Sequence, residues 1–325
     1  MSLESDLTSD SAIITATNNN INIEYEERLL PTLTFITYTS IIGLFIRLGL
    51  NTLFTYQNQI VIPLLYTQFV GCMILGLITP LKAHIASKHP SLYSSISSGL
   101  CGSITTFSSW NLAAFEELSF LYRKPSSVII STQSRILGFI SQILVTVSIS
   151  YFGFKSGEAL SKAISLENRP SILKLQRLKL SNFLSIKYTD LIVKEAVYFI
   201  IFSLFPIFLL FFTSYFLNAG RFALSAGFAP LGAYIRYLLS RLNVKYSRFP
   251  IGTLTANLIA SAVLAIVTYF LSFSVDNTVH NGLSTISCIS LYSISDGFCG
   301  CLSTVSTFIV ISLYSINYHN TNSYL

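Results

Sequence analysis

Long apolar runs dominate the chain, each close to the ~20 residues that an α-helix needs to cross a bilayer. Polar residues gather in the stretches between them. The runs predict eight spans, over residues 31–55, 60–81, 91–121, 128–154, 194–217, 221–241, 251–273 and 283–316. The third and eighth are overlong, and each contains a hydroxyl-rich segment with two closely spaced glycines. Gly99 to Trp110 reads GLCGSITTFSSW, and Gly297 to Phe308 reads GFCGCLSTVSTF. In hydrocarbon the backbone leaves the helix only where protein or a water-filled cavity satisfies its polar groups. These segments therefore predict a break in mid-membrane, made twice, as in a transport site built from two repeats.

The repeat extends beyond the breaks. Gly43 and Arg47 recur as Gly232 and Arg236 at an offset of 189, and Gln68 faces Asn257 at the same offset. Phe107 matches Val305 at an offset of 198. One span, 194–217, separates a four-span first repeat from the second. An odd span reverses everything after it, so the repeats are expected in inverted orientation around a site near the midplane. The expected division is a disordered cytosolic tail (1–30), a first repeat (31–154), a cytosolic loop with a linker transmembrane helix (155–218), and a second repeat (219–325). Loops on one side hold 14 Lys and Arg residues against 3 on the other, which places the N-terminus in the cytosol.

Composition agrees with a membrane protein. The 325 residues are 52% hydrophobic and 10% charged, with a mean hydropathy of +0.62, whereas about a quarter of a soluble domain is charged. The net charge of +6 lies in the loops and reflects insertion topology, so no nucleic-acid partner is expected. The five cysteines fall within spans, where a free thiol behaves as a small hydrophobe. No catalytic residue pair and no P-loop appears, so the chain reads as a non-enzyme. Arg47 and Arg236 lie inside spans, where an ionisable residue is costly and by default functional. For Arg236 the competing reading is snorkelling to the cytosolic surface. Asp296, just before the second break, is open between a cation neighbour and a vestibule residue.

These motifs resemble the CrcB or Fluc fluoride channel family, in its eukaryotic two-repeat form, the fluoride export proteins (FEX). The resemblance rests on the arginine of the first helix, the amide position in the second, and the doubled break. It implies an all-α polytopic membrane protein with two inverted four-helix-type repeats joined by a linker helix. It further implies a monomeric fused dimer that conducts fluoride across the lipid bilayer of the plasma membrane. Fluoride and site chemistry agree: a small, strongly hydrated anion needs neutral donors that also let it leave, namely hydroxyls, an amide NH2 and aromatic edges.

By resemblance, Phe107, Phe308 and Asn257 form a working pathway with Thr106, Ser108, Ser306 and Thr307. Trp110, Val305 and Gln68 form a vestigial one; packing between helices is the alternative for these aromatics. The resemblance also implies a structural sodium ion held by the backbone carbonyls of Gly102, Thr105, Gly300 and Ser303. No organic cofactor is implied. The sequence runs about 17 residues past Phe308, so the second repeat is expected to lack the counterpart of 128–154. A truncated gene model, a non-conducting paralogue or completion by a partner would each account for this. The competing function is an inverted-repeat small-molecule or proton-coupled transporter, for which Asp296 alone offers a relay group.

Overall fold

The computed structural model describes residues 29, 31–57, 59, 61–82, 84–85, 90–119, 131–167, 220–245, 250–276 and 285–311. The expected spans at 31–55, 60–81, 91–121, 128–154, 221–241, 251–273 and 283–316 are all represented by helices. The linker span 194–217, the tail 1–28 and everything after 311 lie outside the described residues.

In the first repeat, α1 covers Pro31–Leu53 and α2 covers Pro63–Ile78, with Pro63 suited to a first helical position. The interrupted third helix follows as α3, from Pro90 to Ile104, and α4, Phe107–Ser119. Next comes α5, Thr132–Glu167. The second repeat supplies α6, Gly220–Ser240, and α7, Ile251–Asp276. Its interrupted helix is α8, from Thr285 to Leu302, and α9, residues 306–311. Five helices among the described residues are long and apolar enough to cross a membrane, and α2 is a shorter apolar one.

The architecture is inverted relative to a soluble protein. Leu137, Leu144, Phe152, Leu258, Ile266 and Phe270 face outward, while hydroxyls, amides and two arginines fill the centre. The most apolar window of α5 buries 17% of its residues, whereas that of the interrupted helix through Ile286–Ile311 buries 56%. The broken helix thus sits at the core, and α5 forms part of the outer wall.

Helices that share an apolar solvent associate through close backbone approach, which small residues permit. The α2–α5 contact shows this: a Cβ on Gly153 would lie 2.7 Å from the Phe69 carbonyl oxygen. Gly157 likewise lies against Met73, and Gly76 against Phe154. This seam carries α5 past the expected end at 154 to Glu167. The extension is further supported on its surface by Glu158, paired with Lys155 at 2.8 Å and Lys162 at 3.6 Å. In the second repeat, Asn243 joins α6 to α7. Its Oδ1 accepts the N–H groups of Gly252 (2.8 Å) and Thr253 (3.2 Å), closing the first turn of α7.

Candidate functional site

Both interrupted helices fail in the same way. Before each break the helix widens into π-geometry, over Ser95–Cys101 and Ile294–Cys299, and a short α turn follows. Thr105 (ψ 149°) and Ser303 (ψ 156°) then swing into extended conformation. A π-turn shifts the hydrogen-bond ladder and is common at functional sites. Here it frees carbonyls to accept bonds from outside, since Ser98 and Asp296, each within the widened segment, present theirs to an arginine of the opposite repeat. The arriving half-helices leave unpaired carbonyls at their ends, and the departing ones leave unpaired N–H groups.

The breaks cross, and each caps the other. Ser303 Oγ accepts the N–H groups of Phe107 and Ser108, both at 3.1 Å, which closes the start of α4. Reciprocally, Thr105 Oγ1 accepts the Ser306 N–H at 3.4 Å at the start of α9. Two buried hydroxyl rings result, each drawing on both repeats. In one, Ser303 Oγ lies 2.9 Å from Ser108 Oγ and 3.1 Å from Thr106 Oγ1. In the other, Thr105 Oγ1 lies 3.1 Å from both Thr304 Oγ1 and Ser306 Oγ, which are themselves 3.1 Å apart. Of the expected pore hydroxyls, Thr106 and Ser108 belong to the first ring and Ser306 to the second. Thr307 is half-buried and joins neither.

The two amides hold the residues that follow the extended ones, Thr304 and Thr106, unequally. Asn257 clasps Thr304 on both sides, accepting its N–H (2.8 Å) and donating to its carbonyl (3.1 Å). Gln68 donates to the Thr106 carbonyl at 2.7 Å, and its buried Oε1 has no partner. The aromatic residues converge as well. Phe107 and Phe308, from opposite repeats, lie 6.1 Å apart between ring centroids. The Phe107 ring also meets Trp110 edge-on at 5.3 Å. Phe107, Trp110 and Phe308 line one cavity of about 450 Å3, with Asn111, Ala114 and Phe139 completing much of its wall. Trp110 and Val305 pack with Leu64 and Ile309 in an apolar cluster, and the indole N–H is unpartnered. Trp110 thus belongs both to the cavity wall and to this cluster, which Phe107 and Phe308 flank, whereas Val305 lies in the cluster alone.

Both intramembrane arginines turn inward, each 3% exposed, so Arg236 does not snorkel. The glycine one turn before each seats its helix on the break helix of its own repeat. A Cβ on Gly43 would lie 2.7 Å from the Leu100 carbonyl oxygen, and one on Gly232 would lie 2.9 Å from the Leu302 nitrogen. One turn on, each arginine reaches the other repeat. Arg47 donates to the Asp296 carbonyl and lies against Gly300. Arg236 donates to the carbonyls of Ser98, Gly102 (2.9 Å), Cys301 and Ser303 (3.2 Å). Neither meets a carboxylate among the described residues. The Asp296 side chain pairs instead with Arg221, at 2.6 and 3.0 Å, near the edge of the molecule. Of the four carbonyls expected around sodium, those of Gly102 and Ser303 thus already accept a guanidinium N–H, so the set does not fit a metal as an intact four-carbonyl cage.

Sequence reasoning missed three features. The first is the role of Gly102 and Gly300 in making room for guanidiniums, which no spacing within one repeat signals, since each meets the arginine of the other repeat. The second is the pairing of Arg221 with Asp296, which has no counterpart in the first repeat, where the corresponding positions are Thr32 and Ser98. The third is capping across repeats, which leaves no mark in either repeat taken alone.

The family model of the CrcB-like proteins (Camphor Resistance, CrcB) matches residues 34–154 and 223–324. Fluoride export protein 1 of Candida albicans is 27% identical over 308 residues, covering 89% of this chain and 74% of that protein. Fluoride export proteins 1 and 2 of Saccharomyces cerevisiae are each 27% identical over 318 residues, covering 85% of this chain and 84% of theirs. No solved structure matches significantly.

Proposed function

Because the chain belongs to the CrcB-like family, we propose that it is a fluoride export channel, through which fluoride leaves the cytosol down its electrochemical gradient. The family match falls on both repeats, and the relatives named as fluoride export proteins cover most of the chain. Fluoride resistance of the cell is the physiological consequence. Hydrogen fluoride enters as a neutral acid and ionises in the near-neutral cytosol, and a negative interior then drives the anion out with about 2.3 kcal/mol per 100 mV. We place the protein in the plasma membrane as a monomer with inverted repeats and a cytosolic N-terminus.

The observation that carries this reading is the meeting of Phe107 and Phe308 beside the Ser303 hydroxyl ring. Fluoride must exchange its water for donors that bind without trapping it. A hydroxyl has one proton and two lone pairs. Thr105 Oγ1 has three acceptors within 3.1 Å, the Cys101 carbonyl and two hydroxyls, so its proton can turn to a passing anion while its neighbours remain satisfied. The rings also sit at the starts of α4 and α9, where N–H groups and the helix dipole favour negative charge. Aromatic edges add a weak positive potential along the apolar cavity. A proton-coupled transporter is not favoured, since Asp296, the one acid suited to a relay, is paired with Arg221.

Fluoride efflux from proteoliposomes tests the reading. The protein should pass fluoride electrogenically and exclude chloride. Phe308→Ile and Asn257→Ala should abolish most flux, while Val305→Ile leaves it close to wild type. Equal losses at Trp110 and Val305 would overturn the single working pathway, and chloride permeation would overturn the fluoride assignment.

A further inference from the structure

The centre of the crossing is already cationic. Arg47 and Arg236 are both buried, and they converge on one residue: Arg236 donates to the Cys301 carbonyl, and Arg47 Nη2 lies 4.0 Å from the Cys301 sulfur. Neither has an acid partner among the described residues. What holds Arg236 is a set of backbone carbonyls drawn from both break helices: Ser98 and Gly102 from the first, Cys301 and Ser303 from the second. Those of Gly102, Cys301 and Ser303 lie at helix C-terminal ends, where unpaired carbonyls and the helix dipole favour a cation, and that of Ser98 lies within the π-turn. Room for the guanidinium is built in, because a Cβ on Gly102 would lie 2.5 Å from its Cζ.

We infer that the Arg236 guanidinium is itself the cation that ties the two breaks together, occupying the Gly102 and Ser303 carbonyls that a sodium ion would require, so that the crossing assembles without a bound metal. A planar fork with several donors suits this task better than a point charge, because it bonds carbonyls on two helices at once. A metal ion added beside it would meet two guanidinium charges in a region of low dielectric. The inference concerns how the crossing is held and is independent of which ion is transported.

The full-length protein, exchanged in detergent from sodium chloride into N-methyl-D-glucamine chloride at equal ionic strength, provides the test. The wild type should retain no stoichiometric sodium by elemental analysis and should melt at the same temperature in both salts. Arg236→Gln should melt lower in N-methyl-D-glucamine and recover in a saturable way with added sodium, because its emptied carbonyls can then take a small hard cation. Arg236→Lys should fall between the two. One equivalent of sodium retained by the wild type, or a saturable sodium-dependent rise in its melting temperature, would overturn the inference. So would an Arg236→Gln protein as stable as wild type in both salts. If Arg236→Gln does not fold, the two wild-type measurements decide alone.

Discussion

A buried guanidinium carries five N–H groups, and their satisfaction decides whether its position is tolerable. Arg236 is well supplied: three carbonyls share the two N–H groups of Nη1, a fourth accepts from Nη2, and the buried Nε is unpaired. Arg47 has one carbonyl, and its buried Nη1 is unpaired. The same inequality recurs in the amides, where Asn257 makes two bonds to Thr304 and Gln68 makes one to Thr106. Asn257→Ala should therefore cost more than Gln68→Ala, by about 1–3 kcal/mol for the stranded Thr304 groups, read as the difference in melting behaviour and in fluoride flux. Gly102→Ala tests the seat of the guanidinium. Its new methyl group would lie 2.5 Å from Arg236 Cζ, and overpacking of this kind costs about 1–3 kcal/mol. Its melting temperature should fall, and flux with it.

At the scale of elements, the breaks are the informative feature. Their position was legible because Gly99 to Trp110 and Gly297 to Phe308 interrupt apolar runs in the same place twice, and sequence alone has no other reason to repeat a hydroxyl cluster in hydrocarbon. Arg47 and Arg236 stood out for the same reason. The connection after 154 reads as partly helical, but the unbroken run of α5 to Glu167 was not legible, because Lys155, Glu158 and Lys162 pair only once they are set along one helical face. The π-turns were also hidden, since the carbonyls they free, Ser98 and Asp296, are claimed by side chains some 138 and 249 positions away. Capping across the crossing makes a direct prediction. Ser303→Ala removes the acceptor for two N–H groups at the start of α4 and should cost about 1 kcal/mol. The loss should appear as faster hydrogen exchange at Phe107 and Ser108, residues of the opposite repeat. A change confined to the neighbourhood of Ser303 itself would contradict the assignment.

For the whole molecule, the expected inversion places the loop after α1 and the loop before α7 on opposite sides of the membrane. Single cysteines introduced at Tyr56 and at Lys245 in a background lacking the native thiols should react with an impermeant maleimide from opposite faces, and labelling from the same face would refute the inverted arrangement. The reciprocal capping of α4 and α9 also bears on how the protein is made. While the second repeat is still on the ribosome, Phe107 and Ser108 lack the hydroxyl that closes their turn, and the segment around Thr105 carries polar backbone into lipid. The first half thus reaches its closed form only once Ser303 is in place to cap α4.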